Sequence, residues 1–144
     1  MTEIAPLKGV RIIEASMLGP AAVTTNLAEL GADVIKVEAP GGDYGRQMTW
    51  PIVEDTSLLF LHCNRGKRSI VLDLRTEEGV QAFKELAADA DVVVEAMRPG
   101  ALARRGLGYE DLKAINPKIV FMTISGYGMT GPYRDLPSHG IAYD

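Results

Sequence analysis

Short apolar runs rich in valine and isoleucine recur along the chain, separated by stretches in which polar residues and glycine are common. Within the runs the apolar residues are largely continuous and do not alternate regularly with polar ones. That pattern is typical of strands that are covered on both faces of a sheet. Five such runs predict five strands, at residues 10–13, 34–37, 70–72, 92–94 and 119–124.

A helix is predicted between the first two runs. The pair Gly19-Pro20 suits a first helical turn, because the N–H that proline lacks would have no partner there, and Gly31 suits a C-terminal cap. Apolar residues stand at helical spacing between these points, at Val23, Leu27 and Leu30. Strand, helix and strand together predict a βαβ unit.

A second unit of the same kind follows. Thr76 suits the N-cap of a helix, and Glu77 and Glu78 favour the positive end of its dipole. The apolar stripe of this helix consists of Val80, Phe83 and Leu86. A weaker helical pattern covers residues 109–115 and ends before Asn116-Pro117.

Strands that alternate with helices predict an α/β fold with a mainly parallel sheet and right-handed crossovers. Residues 39–68 interrupt the alternation with Pro40-Gly41-Gly42, Pro51 and a basic stretch at 65–68. A loop of this length without secondary structure is uncommon in a compact domain. We therefore expect this segment to have a binding role or to contain further structure.

Composition narrows the class of protein. The chain has 144 residues, 47% of them hydrophobic and 24% charged, which indicates one globular domain at most and excludes a disordered or collagen-like chain. The net charge of -4 predicts no general attraction to nucleic acid or to anionic lipid. No run approaches the ~18 apolar residues of a membrane span, so we expect a soluble protein without a membrane partner. The chain ends at residues 140–144 without a polar tail, which favours a fragment of a longer chain.

The cysteine and histidine content predicts no metal site and no disulfide. Cys63 is the single cysteine, which agrees with a reducing cytoplasm. His62 and His139 have no partner at a metal-ligand spacing, so packing or surface roles are expected for both.

Candidate chemistry gathers where strands end. Ligands bind at the carboxyl edge of a parallel sheet, and a helix that begins at Gly19-Pro20 would direct backbone N–H groups to that edge. A plain strand-to-helix turn is an equally good interpretation of this pair. Glu38 closes the second strand, where an acid can bind a ribose hydroxyl or simply be solvated.

Cations and a glycine-rich stretch are the remaining candidates. Residues 126–131 match the pattern G-x-G-x-x-G, but Pro132 and Pro137 follow and no helical stripe does, so a dinucleotide site is disfavoured. Six basic residues fall next to strand ends or in the following turns and are candidates for binding phosphate, although each alone is more often a solvated charge: Lys67, Arg68, Arg75, Arg98, Arg104 and Arg105.

Ordered sequence blocks resemble those of the family III CoA-transferases (CaiB/BaiF type), in their N-terminal portion. The blocks are PLKGV at 6–10, LGADVIKVE at 30–38, GGD at 41–43, NRGKRSI at 64–70, RPG at 98–100, GLGY at 106–109, NP at 116–117, SGYG at 125–128 and TGPY at 130–133. Because they extend over nearly all 144 residues, the resemblance is specific for the family and much less so for the substrate.

The resemblance implies a Rossmann-like domain that binds CoA, here incomplete, with residues 1–144 as its N-terminal part. It implies a longer polypeptide, an interlocked homodimer, an acyl-CoA substrate and a carboxylic acid acceptor, and no metal. In such enzymes an aspartate attacks the thioester and becomes an aspartyl-CoA thioester through a mixed anhydride. That aspartate would lie beyond residue 144.

The resemblance also assigns CoA contacts. The positions are Met17 and Leu18 after the first strand, Leu72, Asp73, Leu74 and Arg75 after the third, Ala96, Met97 and Arg98 after the fourth, then Arg104, and finally Tyr143 and Asp144 at the thioester end.

The chain departs from the family pattern at three places. Ala39 replaces a residue that is often basic, so phosphate would have to be bound by Lys67, Arg75, Arg98 or Arg104. Ala96-Met97 replaces a common Asn-Phe pair and loses a side-chain contact. Tyr143-Asp144 stands where the racemase branch has His-Asp, and tyrosine is a poor proton shuttle with a pKa near ~10. A transferase is therefore favoured over an α-methylacyl-CoA racemase or isomerase, and a non-catalytic CoA- or nucleotide-binding module is the other alternative.

Overall fold

A computed structural model describes residues 5–137. All five predicted strands are present, and these described residues contain one additional short hairpin. In chain order the strands are β1 (Arg11–Ala15), β2 (Asp33–Glu38), β3 (Pro51–Val53), β4 (Thr56–Ser57), β5 (Arg68–Val71), β6 (Val92–Glu95) and β7 (Val120–Thr123). The helices are α1 (Leu18–Glu29), α2 (Leu58–Asn64), α3 (Glu77–Ala88) and α4 (Tyr109–Ile115).

The five predicted strands form one parallel sheet in the order β5-β2-β1-β6-β7. The chain runs outward from β1 through β2 to β5, returns to pair β6 with the other side of β1, and continues to β7. The strand order therefore reverses between β1 and β6, where Ala15 is in register with Glu95. In α/β sheets of this kind, ligands bind at the carboxyl ends of the strands beside such a reversal.

Apolar residues cover both faces of the sheet, as the continuous runs predict. Neighbouring residues on β1 belong to different core clusters, because side chains alternate along a strand: Ile13 packs with Phe83 and Val93, whereas Ile12 packs with Val34. The α/β fold class with a mainly parallel sheet is confirmed.

The predicted helices are confirmed, and the start of α3 has the predicted cap. The Thr76 hydroxyl accepts a hydrogen bond from the N–H of Gly79 at 3.0 Å. This hydroxyl satisfies one of the N–H groups that lack a partner in the first helical turn. Phe83, in the predicted stripe, is fully buried.

The face that α1 turns toward the core differs from the apolar spacing read in the sequence. Val23 and Leu30 are exposed, whereas Thr24 and Thr25 are buried. The threonines are on the inner face because their hydroxyls have buried partners there: Thr24 donates to the Glu14 carboxylate and Thr25 to the carbonyl of Cys63. Of the predicted stripe, only Leu27 packs against the core. Polar contacts of the two threonines thus help to set the orientation of this helix.

Residues 39–68 contain further secondary structure, which was one of the two expectations for this segment. A short 3₁₀ helix (Tyr44–Gln47), the antiparallel pair β3 and β4, and α2 follow one another before β5 begins. Ser57 caps α2 by accepting from the N–H of Phe60.

Candidate functional site

A cavity of about 710 Å³ lies at the carboxyl edge of the sheet, beside the reversal between β1 and β6. Three loops form most of its wall: the turn after β1, the loop after β6 and the segment after β7. The lining residues are Met17, Leu18, Gly19, Pro20, Tyr44, Ala96, Met97, Arg98, Pro99, Ile124, Ser125, Gly126, Tyr127, Arg134, Leu136 and Pro137. We call this the edge cavity.

The turn after β1 presents backbone to the edge cavity. The side chain of Met17, at the N-cap of α1, makes no hydrogen bond to the N–H groups of the first turn. Leu18 has φ of 53°, in the left-handed region that a leucine rarely adopts. Strain of this kind persists only where the surrounding structure imposes it, and it is common at ligand sites. Unbonded N–H groups at a helix start can bind an anion or a polar group.

A buried acid shapes the loop after β6. The Glu95 carboxylate is 4% exposed and accepts a hydrogen bond from the N–H of Met97 at 2.8 Å. Burial raises the pKa of Glu95, while hydrogen bonds from Met97 and Thr123 oppose that shift. The carboxylate thus fixes the backbone that carries Met97 and Arg98 along the wall of the cavity.

A second, more open cavity of about 640 Å³ lies between the start of α3 and the residues before α4. Its lining residues are Leu74, Arg75, Thr76, Glu77, Val80, Gln81, Lys84, Arg104 and Arg105. Four of these nine residues are cations, against one acid. We call this the basic cavity.

Most of the cations at these cavities have no carboxylate partner within residues 5–137. Arg75 and Arg134 are the exceptions. Arg134 pairs with Asp135 at 3.3 Å, and the Arg75 guanidinium binds both oxygens of Asp73 at 2.8 Å. That contact lowers the pKa of Asp73 to about 2 and raises the pKa of Arg75. Arg104 and Arg105 donate only to backbone carbonyls. Their positive charge is therefore available for an anionic ligand.

One short segment of the chain, residues 98–104, borders both cavities. Pro99 lines the edge cavity and Arg104 lines the basic cavity, and the Arg104 guanidinium donates to the Pro99 carbonyl at 3.3 Å. The site residues assigned from the resemblance divide between them. Met17, Leu18, Ala96, Met97 and Arg98 line the edge cavity, and Leu74, Arg75 and Arg104 line the basic cavity.

Two assigned residues among those described, Leu72 and Asp73, line neither cavity. Leu72 and Asp73 lie in the loop after β5, where Asp73 binds Arg75. Tyr143 and Asp144 are outside the described residues, as is His139.

Glu38 does not match either interpretation of its position at the end of β2. It is 4% exposed, and both oxygens are bound inside the protein. Arg46 binds it through two nitrogens at 2.7 and 2.9 Å, and the N–H of Asp43 donates at 2.7 Å. Burial alone would raise the pKa of Glu38, but the hydrogen bonds from Arg46, Ser69 and Asp43 lower it to about 2. The carboxylate is neither solvated nor free to bind a ribose.

Lys67, a candidate for binding phosphate, lies in a buried charge network instead. Its side chain is 2% exposed, and its ammonium donates to Glu14 at 2.6 Å. Lys36 binds the same carboxylate at 3.2 Å and Asp43 at 2.9 Å. Candidate Arg68 is also paired, with Asp33 at 2.7 Å. The phosphate interpretation of Lys67 is wrong, because its charge is neutralised away from both cavities.

The buried network of Glu14, Lys36, Asp43 and Lys67 was not identified from the sequence. A signal was present: Lys36 falls inside the predicted strand at 34–37, and Glu14 directly follows the predicted strand at 10–13. A charged residue is rarely fully buried unless it is paired.

The glycine-rich stretch after β7 contributes to the edge cavity without opening a helix. Gly126 and Tyr127 line the cavity, and residues 124–137 contain no helix. A dinucleotide fingerprint requires a helix start at that point.

The described part of the chain offers neither a metal-binding cluster nor a membrane-spanning helix. No group of three or more His, Cys, Asp or Glu side chains within residues 5–137 could hold a metal ion. None of the helices described is long and apolar enough to cross a membrane.

Comparisons with known proteins agree on one family. Residues 7–144 match the model of a family described as CoA-transferase family III. A mouse succinyl-CoA:glutarate CoA-transferase is 49% identical over 96% of this chain and 31% of its own length. The beta subunit of a succinyl-CoA–L-malate CoA-transferase from Chloroflexus aurantiacus is 43% identical over 99% of this chain and 38% of its own length.

A solved structure has the same fold. A CAIB/BAIF family protein from Brucella suis superposes with a TM-score of 0.88 and 45% identity, over 93% of this chain and 37% of that protein. The chain therefore spans about a third of the length of the relatives that it matches.

Proposed function

Because the chain belongs to CoA-transferase family III, we propose that it is the CoA-binding part of an enzyme that moves CoA from an acyl-CoA to a carboxylic acid. The observation that carries this proposal is the edge cavity. Its two backbone walls, after β1 and β6, come together at the one point of the sheet where the strand order reverses. That point is where an α/β sheet binds its ligand.

The two cavities fit the two ends of a CoA ester. The edge cavity combines apolar side chains such as Met17 and Met97 with the backbone of the α1 turn, which suits the pantetheine arm and the thioester. The basic cavity offers Lys84, Arg104 and Arg105, which suit the phosphates. The segment from Arg98 to Arg104 adjoins both, so one extended ligand can contact both.

The reaction we propose uses an aspartate outside this chain. Its carboxylate attacks the thioester carbonyl, which forms a mixed anhydride and releases CoA as the thiolate. The thiolate attacks the aspartyl carbonyl of the anhydride, which releases the donor acid and leaves an aspartyl-CoA thioester. The acceptor carboxylate then repeats the two steps in reverse, so that a new acyl-CoA leaves and the aspartate is restored. Within residues 5–137, side chains and backbone bind and orient the CoA ester.

The test uses the whole protein that contains this chain. It is incubated with succinyl-CoA and either glutarate or malate, the acids in the names of the relatives, and the thioesters are identified by mass spectrometry. We expect a new acyl-CoA to form in the amount that succinyl-CoA disappears, without accumulation of free CoA. Trapping with borohydride is expected to modify one aspartate.

Other results would contradict the proposal. Deuterium uptake from D₂O at the α-carbon of an acyl-CoA, with no acceptor consumed, would instead identify a racemase or isomerase. Tight CoA binding without either reaction would identify a non-catalytic module.

We also propose that the whole protein is an interlocked homodimer in the cytoplasm, on the basis of the family alone. Light scattering coupled to size-exclusion chromatography is expected to give twice the mass of one chain, and a monomer would contradict it.

A further inference from the structure

The buried network of Glu14, Lys36, Asp43 and Lys67 lies directly behind the turn that lines the edge cavity. All four side chains are at most 2% exposed. Two positive and two negative charges balance within it. A buried ion pair contributes little stability compared with apolar packing, so its retention calls for another explanation, and one attested role is to specify a unique geometry.

The two lysines also donate to backbone carbonyls, and these carbonyls lie on opposite sides of the turn. Lys36 donates to the carbonyl of Ser16 at 2.6 Å, just before the turn. Lys67 donates to the carbonyl of Ala21 at 2.7 Å, just after it. Glu14 orients both ammonium groups, because one of its carboxylate oxygens accepts from Lys36 and the other accepts from Lys67.

Residues 17–20, between these two carbonyls, form the part of the turn that lines the cavity. The turn includes Leu18, whose left-handed backbone is unfavourable for a side chain with a Cβ. Left to itself, this backbone would relax toward a commoner conformation. The two lysine contacts hold it at both ends.

We propose that Lys36 and Lys67 are positioning residues that keep the turn at residues 17–20 in its ligand-binding conformation. Neither reaches the ligand; both act through the backbone of the turn. The identity of the ligand rests on the function proposed above, whereas the effect on the turn does not.

The test distinguishes an effect on the conformation of the turn from the effect of an unbalanced buried charge. Lys67→Met leaves Glu14 with one cation fewer and is expected to lower stability, because an uncompensated buried charge is costly. The double variant with Glu14→Gln and Lys67→Met removes one charge of each sign and is expected to fold stably. It still leaves the Ala21 carbonyl without the Lys67 ammonium.

Hydrogen exchange measures the conformation of the turn directly, in the whole protein. The amides of Ala22, Val23 and Thr24 donate to the carbonyls of residues 18–20 if the first turn of α1 is closed. In the double variant we expect their exchange to rise at least tenfold, while exchange in α3 stays at the wild-type rate. The dissociation constant for CoA, measured by calorimetry, is expected to rise at least tenfold as well.

Arg65→Met is the matched control, because it removes an exposed ion pair between Arg65 and Glu29 at the other end of α1. It is expected to leave exchange in the turn unchanged.

Unchanged exchange of these amides in the double variant would overturn the inference. So would an equal rise in α3, or failure of the double variant to fold, since either would mean that the lysines support the fold as a whole. If exchange rises selectively but the wild-type protein does not bind CoA, the positioning role stands and the proposed function is wrong.

Discussion

Arg46 and Glu38 illustrate how a single buried acid depends on its partner. Arg46 binds both oxygens of Glu38 and also lies over the ring of Phe60, with the guanidinium carbon 3.8 Å from the ring centroid. This pair closes the loop between β2 and the 3₁₀ helix. Removal of Arg46 leaves a carboxylate that is buried and short of a counter-charge.

We predict that Arg46→Met lowers the free energy of unfolding by about 2–4 kcal/mol at pH 7, measured by urea denaturation. Arg68→Met, which breaks an exposed pair with Asp33, is the control and should cost about 1 kcal/mol or less. Equal effects of the two substitutions would contradict the buried role of Glu38.

The pH dependence of stability follows from the same pair. The pKa of Glu38 falls from 4.5 to about 2 on folding, so the stabilisation is fully present above pH 4.5 and is lost as the pH falls toward 2. We predict that stability of the wild type declines across this window. In Arg46→Met the pKa of Glu38 rises, so the acid-induced loss specific to this pair should become smaller. An identical acid profile in both proteins would show that Glu38 is not the group involved.

The unpaired cations of the basic cavity lead to a prediction about binding. We expect Arg104→Ala and Lys84→Ala each to weaken CoA binding by about 1–2 kcal/mol, or roughly 5- to 30-fold in dissociation constant, and less at high salt. Arg75→Ala should have a smaller effect, because Asp73 already neutralises Arg75. Lys118→Ala removes an exposed lysine that lines neither cavity and is the control. Calorimetry at two salt concentrations measures CoA binding by all four variants. An equal change in the dissociation constant for all four would show that the basic cavity is not part of the CoA site.

At the scale of the element, the start of α3 is packed against its own preceding loop. A Cβ on Gly79 would lie 2.0 Å from the carbonyl oxygen of Asp73, far inside van der Waals contact. The same carbonyl accepts hydrogen bonds from the Thr76 backbone and hydroxyl. The helix start therefore requires glycine at this position.

We predict that Gly79→Ala lowers the free energy of unfolding by about 1–3 kcal/mol, although alanine is the better helix former. The loop that carries Asp73 and Arg75 must shift to admit the methyl group. Gly19→Ala is the matched control, since nothing lies within 4 Å of its Cβ position. A higher melting temperature for Gly79→Ala in thermal unfolding would contradict this prediction, because it would show that the loop moves aside without loss of stability.

At the scale of the whole molecule, the strand order brings together segments that are far apart in the chain. The turn after β1, the segment from β6 to α4 and the segment after β7 meet at one edge of the sheet. The hairpin of β3 and β4 lines neither cavity.

We predict that saturating CoA slows hydrogen exchange at residues 17–25 and 96–106 of the whole protein and leaves residues 51–57 unchanged. Ligand binding suppresses the local opening of the segments it contacts, and distant segments serve as the internal control. Protection confined to residues 51–57 would place the ligand elsewhere.

The sequence by itself determined the five strands of the parallel sheet and the helices α1, α3 and α4, because the signals for these strands and helices are local. Short, continuous, valine-rich runs such as residues 92–94 favour covered strands. Thr76 caps a helix through a contact within three residues. The alternation of these elements then implies the parallel sheet and its ligand-binding edge. Met17 and Met97, which line the edge cavity, were assigned by the family resemblance and not by these local signals.

Only the tertiary structure decided which charges face a ligand. Lys67 and Arg104 both lie in turns near strand ends and look alike in the sequence. Lys67 is nevertheless bound to Glu14 across 53 residues of chain, whereas Arg104 lines an open cavity. The partner of a long charged side chain depends on what the fold brings within a few ångströms of it. Local sequence carries no information about that neighbour, so the division between structural and ligand-facing cations appears only once the chain has folded.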